Sequence, residues 1–155
     1  MMMSLCCDVL SVLQGKTLAT AESLTGGGIG AAITAVSGSS AVYKGGIISY
    51  TNSVKEQLLG VPREILQTYG AVSAQTADYM ARGVREKLDA DVAVSVTGLA
   101  GPGGDEFGHP VGTVFIGYAS ETISHVKECH FSGSREDVRN QTIREALRLI
   151  LRYNA

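Results

Sequence analysis

Residues 17–28, TLATAESLTGGG, constrain the fold more than any other stretch. Thr17 to Ala21 is a run of small, β-compatible residues, followed by Glu22 and Ser23, then Thr25 and the three glycines Gly26, Gly27 and Gly28. From Ile29 to Val36 the chain is rich in Ala and Ile at helical spacing. The pattern predicts a strand, a tight turn and a helix, with Ser23 at the strand exit. A hydroxyl held there lies beside the free N–H groups of a helix N-terminus. That suits a nucleophile with oxyanion donors alongside, or an anion site. The same residues also fit a plain helix cap by Ser23 or Thr25. Three consecutive glycines cost conformational entropy, and close approach of the backbone to a ligand is one reason to carry them.

Around this unit the chain alternates strands and helices. Leu5, Val9, Val12 and Leu13 mark an amino-terminal amphipathic helix ended by Gly15. Ala41 to Thr51 reads as a strand bent near Gly45-Gly46, with Ile47-Ile48 suggesting burial on both faces. Asn52 or Ser53 caps a helix through Val54, Leu58 and Leu59, closed by Gly60, and Pro62 opens a shorter one. Ser73 caps a helix from Ala74 to Leu88 with Ala77, Met80, Ala81 and Val84 inward. Asp91 to Val96, DVAVSV, is a buried strand, and Gly98 to Pro110 is a polar, glycine-broken loop of functional length. Val111 to Tyr118 and Thr122 to Phe131 form a hairpin, and the last helix runs from about Ser134 to Tyr153. The expected fold is a single three-layer α/β/α domain over residues 1–155, with a mixed, largely parallel sheet.

The 155 residues carry a formal net charge of −2, which argues against a nucleic-acid surface. The apolar start lacks a basic flank and a cleavage pattern, Asp8 interrupts it, and it is too short to span a bilayer. Cys6, Cys7 and Cys129 show no paired spacing and no Cys/His cluster, so neither disulfide nor metal is expected, and all three read as buried thiols of a cytoplasmic protein. An apolar, glycine-rich domain of this size is expected to form a homo-oligomer.

Two observations point past a scaffold. Lys55 falls in the first turn of a helix, where the macrodipole and partial burial both favour a neutral amine, a candidate general base. A solvated Lys paired with Glu56 or Glu64 is the alternative. No histidine is placed like a triad base: His109 lies in the polar loop, His125 and His130 in the hairpin. If Ser23 is a nucleophile, a Ser–Lys pair is the natural arrangement. Tyr50 falls near the carboxyl end of the bent strand, where ligands collect in open α/β sheets, unless it is a core aromatic. Thr97 ends DVAVSVT before a glycine. Ser39 and Ser40 bond a ligand or cap a turn. Arg135 and Arg139 flank the last helix start and could hold a phosphate bidentately, or lie on the surface.

In order, TAESLTGG, GSSAVYKGGIISYTNSVK, GAVS, SVTGLAGPGG, PVGTVFIG and FSGSREDVR resemble the carboxy-terminal domain of the CinA competence/damage-inducible family. Its stand-alone members include nicotinamide-nucleotide amidases. The resemblance covers the chain from about Leu10 to the last helix. It implies hydrolysis of nicotinamide mononucleotide to nicotinic acid mononucleotide and ammonia, in pyridine nucleotide salvage, without metal or cofactor. It puts a Ser–Lys pair on Ser23 and Lys55 with Tyr50 assisting. Ser40, Thr97 and either Arg135 or Arg139 complete the implied site, with Thr25, Gly26 and Gly27 supplying oxyanion donors. Many members carry Cys where this chain has Leu24, which implies tuning of the pocket. The amino-terminal nucleotide-hydrolysing domain of larger members is not expected here. A non-catalytic nucleotide- or partner-binding module and a Ser–Lys amidase for another substrate are the alternatives.

Overall fold

Leu18–Glu22 forms the first strand, β1, and all five residues are buried because parallel strands flank it on both edges. A computed structural model describes residues 2–155. Before β1 comes helix α1, Met2–Val12; after it come α2, Gly28–Thr34, and a 3₁₀ turn, Ser39–Ala41. Then follow β2, Tyr43–Ile48, and helices α3, Asn52–Leu59, α4, Arg63–Tyr69, and α5, Ala74–Lys87. Strands β3, Val92–Gly98, β4, Thr113–Ala119, and β5, Ser124–His130, lead to α6, Arg135–Asn154.

The sheet order is β2-β1-β3-β4-β5. The first three strands are mutually parallel, and β4 is antiparallel to both β3 and β5. Four of the five strands therefore point one way. Their carboxyl ends, with the Ser23 turn, the start of α3 and the entry to α6, share one rim.

Alternation along the strands separates two packing layers. Leu18, Val92, Val94 and Val96 pack with Val9, Ile29, Ile33, Ile143, Leu147 and Ile150 from α1, α2 and α6. Ala19, Ala21 and Ala93 turn to the other face, against Leu59, Met80 and Val84. Small residues on that face let α5 come close: the Ser95 hydroxyl donates to the Ala77 carbonyl at 2.6 Å. Gly83 of α5 lies against the Leu59 carbonyl, where a Cβ would collide. Gly83→Ala is expected to push α3 off α5 and cost about 1–3 kcal/mol by denaturant unfolding, despite alanine's better helix propensity.

The paired strand–helix elements fall where the sequence puts them, and Ser73 and Ser134 both cap, the latter through a capping box with Asp137. Four details differ. The strand expected over 41–51 is β2 alone, preceded by the 3₁₀ turn, and it is an edge strand; Ile48 is 56% exposed, so the Ile47-Ile48 pair does not mark burial on both faces. Thr51, not Asn52 or Ser53, is the N-cap of α3. That helix turns Lys55 and Leu59 inward and leaves Leu58 exposed. Cys7 is exposed, whereas Cys6 and Cys129 are buried as free thiols. Among the described residues no helix is long and apolar enough to cross a membrane.

Candidate active site

The chemistry of the rim starts at the exit of β1. The Ser23 N–H still donates to Val96 O at 3.1 Å, so its position is set by the sheet. The chain then turns sharply, with Gly26 and Gly27 at φ 59° and 101°, left-handed values that favour glycine. Gly28 serves a different need: a Cβ there would press on Ile143 of α6. The glycines thus make the turn and admit the neighbouring helix.

On the adjacent strand the chain leaves β2 at Ser49, whose N–H donates to Glu22 O at 2.8 Å. One turn into α3, Lys55 is 1% exposed and sends its amine back toward the strand ends. Lys55 Nζ lies 3.0 Å from Ser23 Oγ, 2.7 Å from Ser49 O and 3.4 Å from Tyr50 O. No carboxylate pairs with it among the described residues. Burial disfavours the charged form and pushes its pKa down to about 8. A neutral amine has two N–H groups and one lone pair. The two carbonyls take the N–H groups, and the lone pair is left for the Ser23 hydroxyl proton.

Both groups open onto a cavity of about 500 Å³. Leu24, Tyr50, Thr97, Leu99, Phe107 and Arg135 are among its lining residues, as are Asp105 and Glu106 of the 98–110 loop. Thr97 Oγ1 donates to Ala71 O at 2.8 Å and ties the end of β3 to the segment before α5. Arg135 reaches across from α6 and donates to Gly101 O at 2.6 Å and to the Tyr50 hydroxyl at 3.3 Å. Burial tends to raise the Asp105 carboxyl, but hydrogen bonds and charge from His109 and the Phe107 N–H outweigh it, so the net shift is downward.

Ser23, Lys55, Tyr50, Thr97 and Arg135 therefore converge from four separate segments. Others do not. Ser40 lies in the 3₁₀ turn before β2, at the opposite rim, because the strand begins only after it. Tyr50 is 59% exposed, so it is no core aromatic, and it is the carbonyl rather than the phenol that meets Lys55. Arg139 lies outside the cavity; its Nε donates to Leu24 O at 3.0 Å and its Nη2 to Thr25 O at 3.1 Å. Gly26 N–H is spent on Ser23 O at 3.1 Å. Of the turn's N–H groups, those of Leu24, Thr25 and Gly27 have no partner among the described residues.

The model of the CinA C-terminal domain family matches residues 4–154. The chain belongs to this family. This CinA domain is 54% identical over 115 residues to the CinA-like protein of Parasynechococcus marenigrum, covering 73% of this chain and 27% of that protein. It is 49% identical over 138 residues to the CinA-like protein of Geotalea daltonii, covering 89% and 33%. The chain spans about a third of the length of such curated relatives. Among solved structures, the competence/damage inducible protein CihA of Agrobacterium tumefaciens superposes with a TM-score of 0.96 at 39% identity, covering 99% of this chain and 96% of that one. A CinA superfamily protein of Klebsiella pneumoniae gives 0.95 at 32% identity, covering 98% and 96%.

One residue of the CinA domain escaped the sequence reading altogether. Glu22 is 2% exposed and caps α2 from seven residues away. Its Oε1 accepts from Thr25 Oγ1 at 2.6 Å and Ile29 N at 2.8 Å, its Oε2 from Gly30 N at 3.0 Å. A carboxylate thus already occupies the positive end of this helix. The α2 N-terminus is not available to a substrate anion, which leaves side-chain cations for that task. An acidic residue just before a glycine turn was the available signal.

Proposed function

We propose that this domain is an amidohydrolase that converts nicotinamide mononucleotide to nicotinic acid mononucleotide and ammonia through a Ser23 acyl-enzyme. The observation that carries this reading is the buried, charge-unpaired Lys55 amine 3.0 Å from the Ser23 hydroxyl at a cavity wall. Neutral Lys55 takes the Ser23 proton as Oγ attacks the amide carbon. The resulting ammonium gives that proton to the departing nitrogen, the C–N bond breaks, and ammonia leaves. Water then attacks the ester, Lys55 again holding the proton, and Ser23 is regenerated with the carboxylic acid product. The choice of a pyridine mononucleotide rests on the family resemblance. The cavity volume and the cation Arg135 at its wall are compatible with it.

The experiment is ammonia release from nicotinamide mononucleotide by the purified protein, with Ser23→Ala as the control. Turnover that Ser23→Ala abolishes supports the reading. Tight binding without turnover would favour the non-catalytic module, and turnover of other amides alone would favour another substrate.

Arg135 has the role of phosphate ligand in this scheme. Among the described residues its guanidinium bonds a carbonyl and a phenol and forms no ion pair, although Asp105 and Glu106 line the same cavity. Arg135→Ala is expected to raise KM for the mononucleotide about ten- to a hundredfold, the worth of a charge-assisted bidentate contact. The phosphate-free nucleoside should be affected little. Equal effects on both substrates would refute the role.

A further inference from the structure

We propose that Arg139 is a positioning residue for the oxyanion hole, which consists of the Leu24 and Thr25 N–H groups. This rests on the amidase reading above. Each of these N–H groups belongs to a peptide whose carbonyl is anchored. The Ser23–Leu24 peptide is held at Ser23 O by the Gly26 N–H, 3.1 Å away. The Leu24–Thr25 peptide is held at Leu24 O by Arg139 Nε, 3.0 Å away. In a trans peptide the N–H points opposite to the C=O. A guanidinium gripping Leu24 O therefore turns the Thr25 N–H away from itself. Arg139 sits in a groove with Gly28, Arg135, Glu136, Asn140 and Ile143 and does not line the cavity, whose wall carries Ser23 and Leu24, so on this proposal the Thr25 N–H lies on the Ser23 side of its peptide. The second guanidinium contact, to Thr25 O at 3.1 Å, locks the next peptide, whose N–H is the one that holds Ser23 O. One arginine, arriving from more than a hundred residues away, thus fixes both halves of the turn.

The charge matters as well as the grip. A cation on a peptide oxygen polarises the amide and strengthens its N–H as a donor. That donor is idle in the ground state and is used when negative charge develops on the attacked oxygen. The residue then acts on kcat and leaves nucleotide affinity alone, the reverse of a phosphate ligand.

The test is Arg139→Ala in the full chain, measured by steady-state ammonia release and by the rate at which a fluorophosphonate modifies Ser23. In that probe reaction Ser23 Oγ bonds to phosphorus, the P–F bond breaks, fluoride leaves and the serine proton passes to Lys55. We expect kcat and the phosphonylation rate to fall about a hundredfold, as for loss of one oxyanion donor, with KM for the mononucleotide unchanged. Added guanidinium at low-millimolar concentration should restore kcat about tenfold and ammonium should not, since only the planar fork spans both carbonyls. A raised KM with normal kcat would make Arg139 a ligand contact and overturn the proposal. Unchanged phosphonylation in the variant would overturn it too. Should Arg139→Ala fail to fold by circular dichroism, Arg139→Lys carries the test. Its single ammonium cannot hold both carbonyls, and a normal kcat there would refute the positioning role. A wild-type protein inert to both amide and fluorophosphonate would sink the amidase reading itself. A reactive wild type with an equally reactive variant sinks only this one.

Discussion

Lys55→Arg should be almost as inactive as Ser23→Ala, with turnover down on the order of a hundred- to ten-thousandfold, while the fold and nucleotide binding persist. The reasoning starts from the burial of an amine with no carboxylate partner. Removing water disfavours the ammonium, and the amine titrates at about 8. The guanidinium of arginine keeps its proton and cannot act as a base near neutrality. The pH–rate profile of the wild type follows from the same value with its sign fixed. The active form is the deprotonated one, so kcat/KM rises about tenfold per pH unit below pH 8 and levels off above it. An electrostatic lysine makes the opposite forecast: activity would fall as the charge is lost above pH 8, and arginine would substitute. Near-normal turnover in folded Lys55→Arg, or a profile that declines through this range, would leave Lys55 as a binding residue.

Glu22→Ala should be the most destabilising of the site's substitutions, although Glu22 touches no substrate in the proposed scheme. The buried carboxylate accepts from two backbone N–H groups and the Thr25 hydroxyl, with the Thr20 hydroxyl a longer fourth donor at 3.5 Å. Truncation leaves three donors without acceptors, each costing about 1–3 kcal/mol, while Thr20 keeps its Tyr43 partner, and it removes an anion from a helix N-terminus. We expect a loss of about 3–5 kcal/mol and a fall in Tm of roughly 10 °C or more for a domain of this size. Glu22→Gln should cost less, because one carbonyl oxygen still serves Thr25 and Ile29, while its amide NH₂ faces the Gly30 N–H. Thermal unfolding of the three proteins checks the order. A Glu22→Ala variant as stable as wild type would mean that the α2 cap is not a structural keystone.

What the sequence disclosed and what it hid have physical reasons. DVAVSV and β4 were legible because strands buried on both faces need unbroken small and apolar runs. The Ser23–Lys55 pair was open from the residues and assigned by the resemblance; it forms because Ser23 follows β1 directly, Lys55 lies in the helix after β2, and both strands end at the same rim. Ile47-Ile48 misled because two adjacent apolar residues do not report that no strand lies beyond β2. Ser40 entered the site through the resemblance alone: the expected strand and β2 both begin after it, so within this chain it lies at the other end of the sheet. Arg135 and Arg139 are four apart and project from one helix face, about 6 Å apart along the axis. Only that height separates a guanidinium at the cavity from one behind the serine turn, and no residue pattern encodes it. Glu22 stayed hidden because its partners, Ile29 and Gly30, offer backbone N–H groups that every residue but proline has.

The reversal of a single strand, β4, has a bearing on how this domain tolerates being lengthened. Because β4 runs against its neighbours, the turn at Ser120–Thr122 closes on the end of the sheet away from Ser23 and Lys55. The links at Gly15–Lys16 and Asp89–Asp91 enter β1 and β3 on that end as well. Ala90 is buried and Asp91 is bonded to Thr17, but the exposed Glu121–Thr122 tip and the Gly15–Lys16 link carry none of the residues that converge on the cavity, so inserted peptide, an affinity tag or a fluorescent reporter can lengthen those two with the catalytic rim untouched. At the other rim the turn after Ser23, the start of α3 and the start of α6 are tied to one another by Lys55, Arg135 and Arg139, and the long loop between β3 and β4 walls the cavity itself. A lineage, or an engineer, that adds sequence to this domain has one end of the sheet to build on.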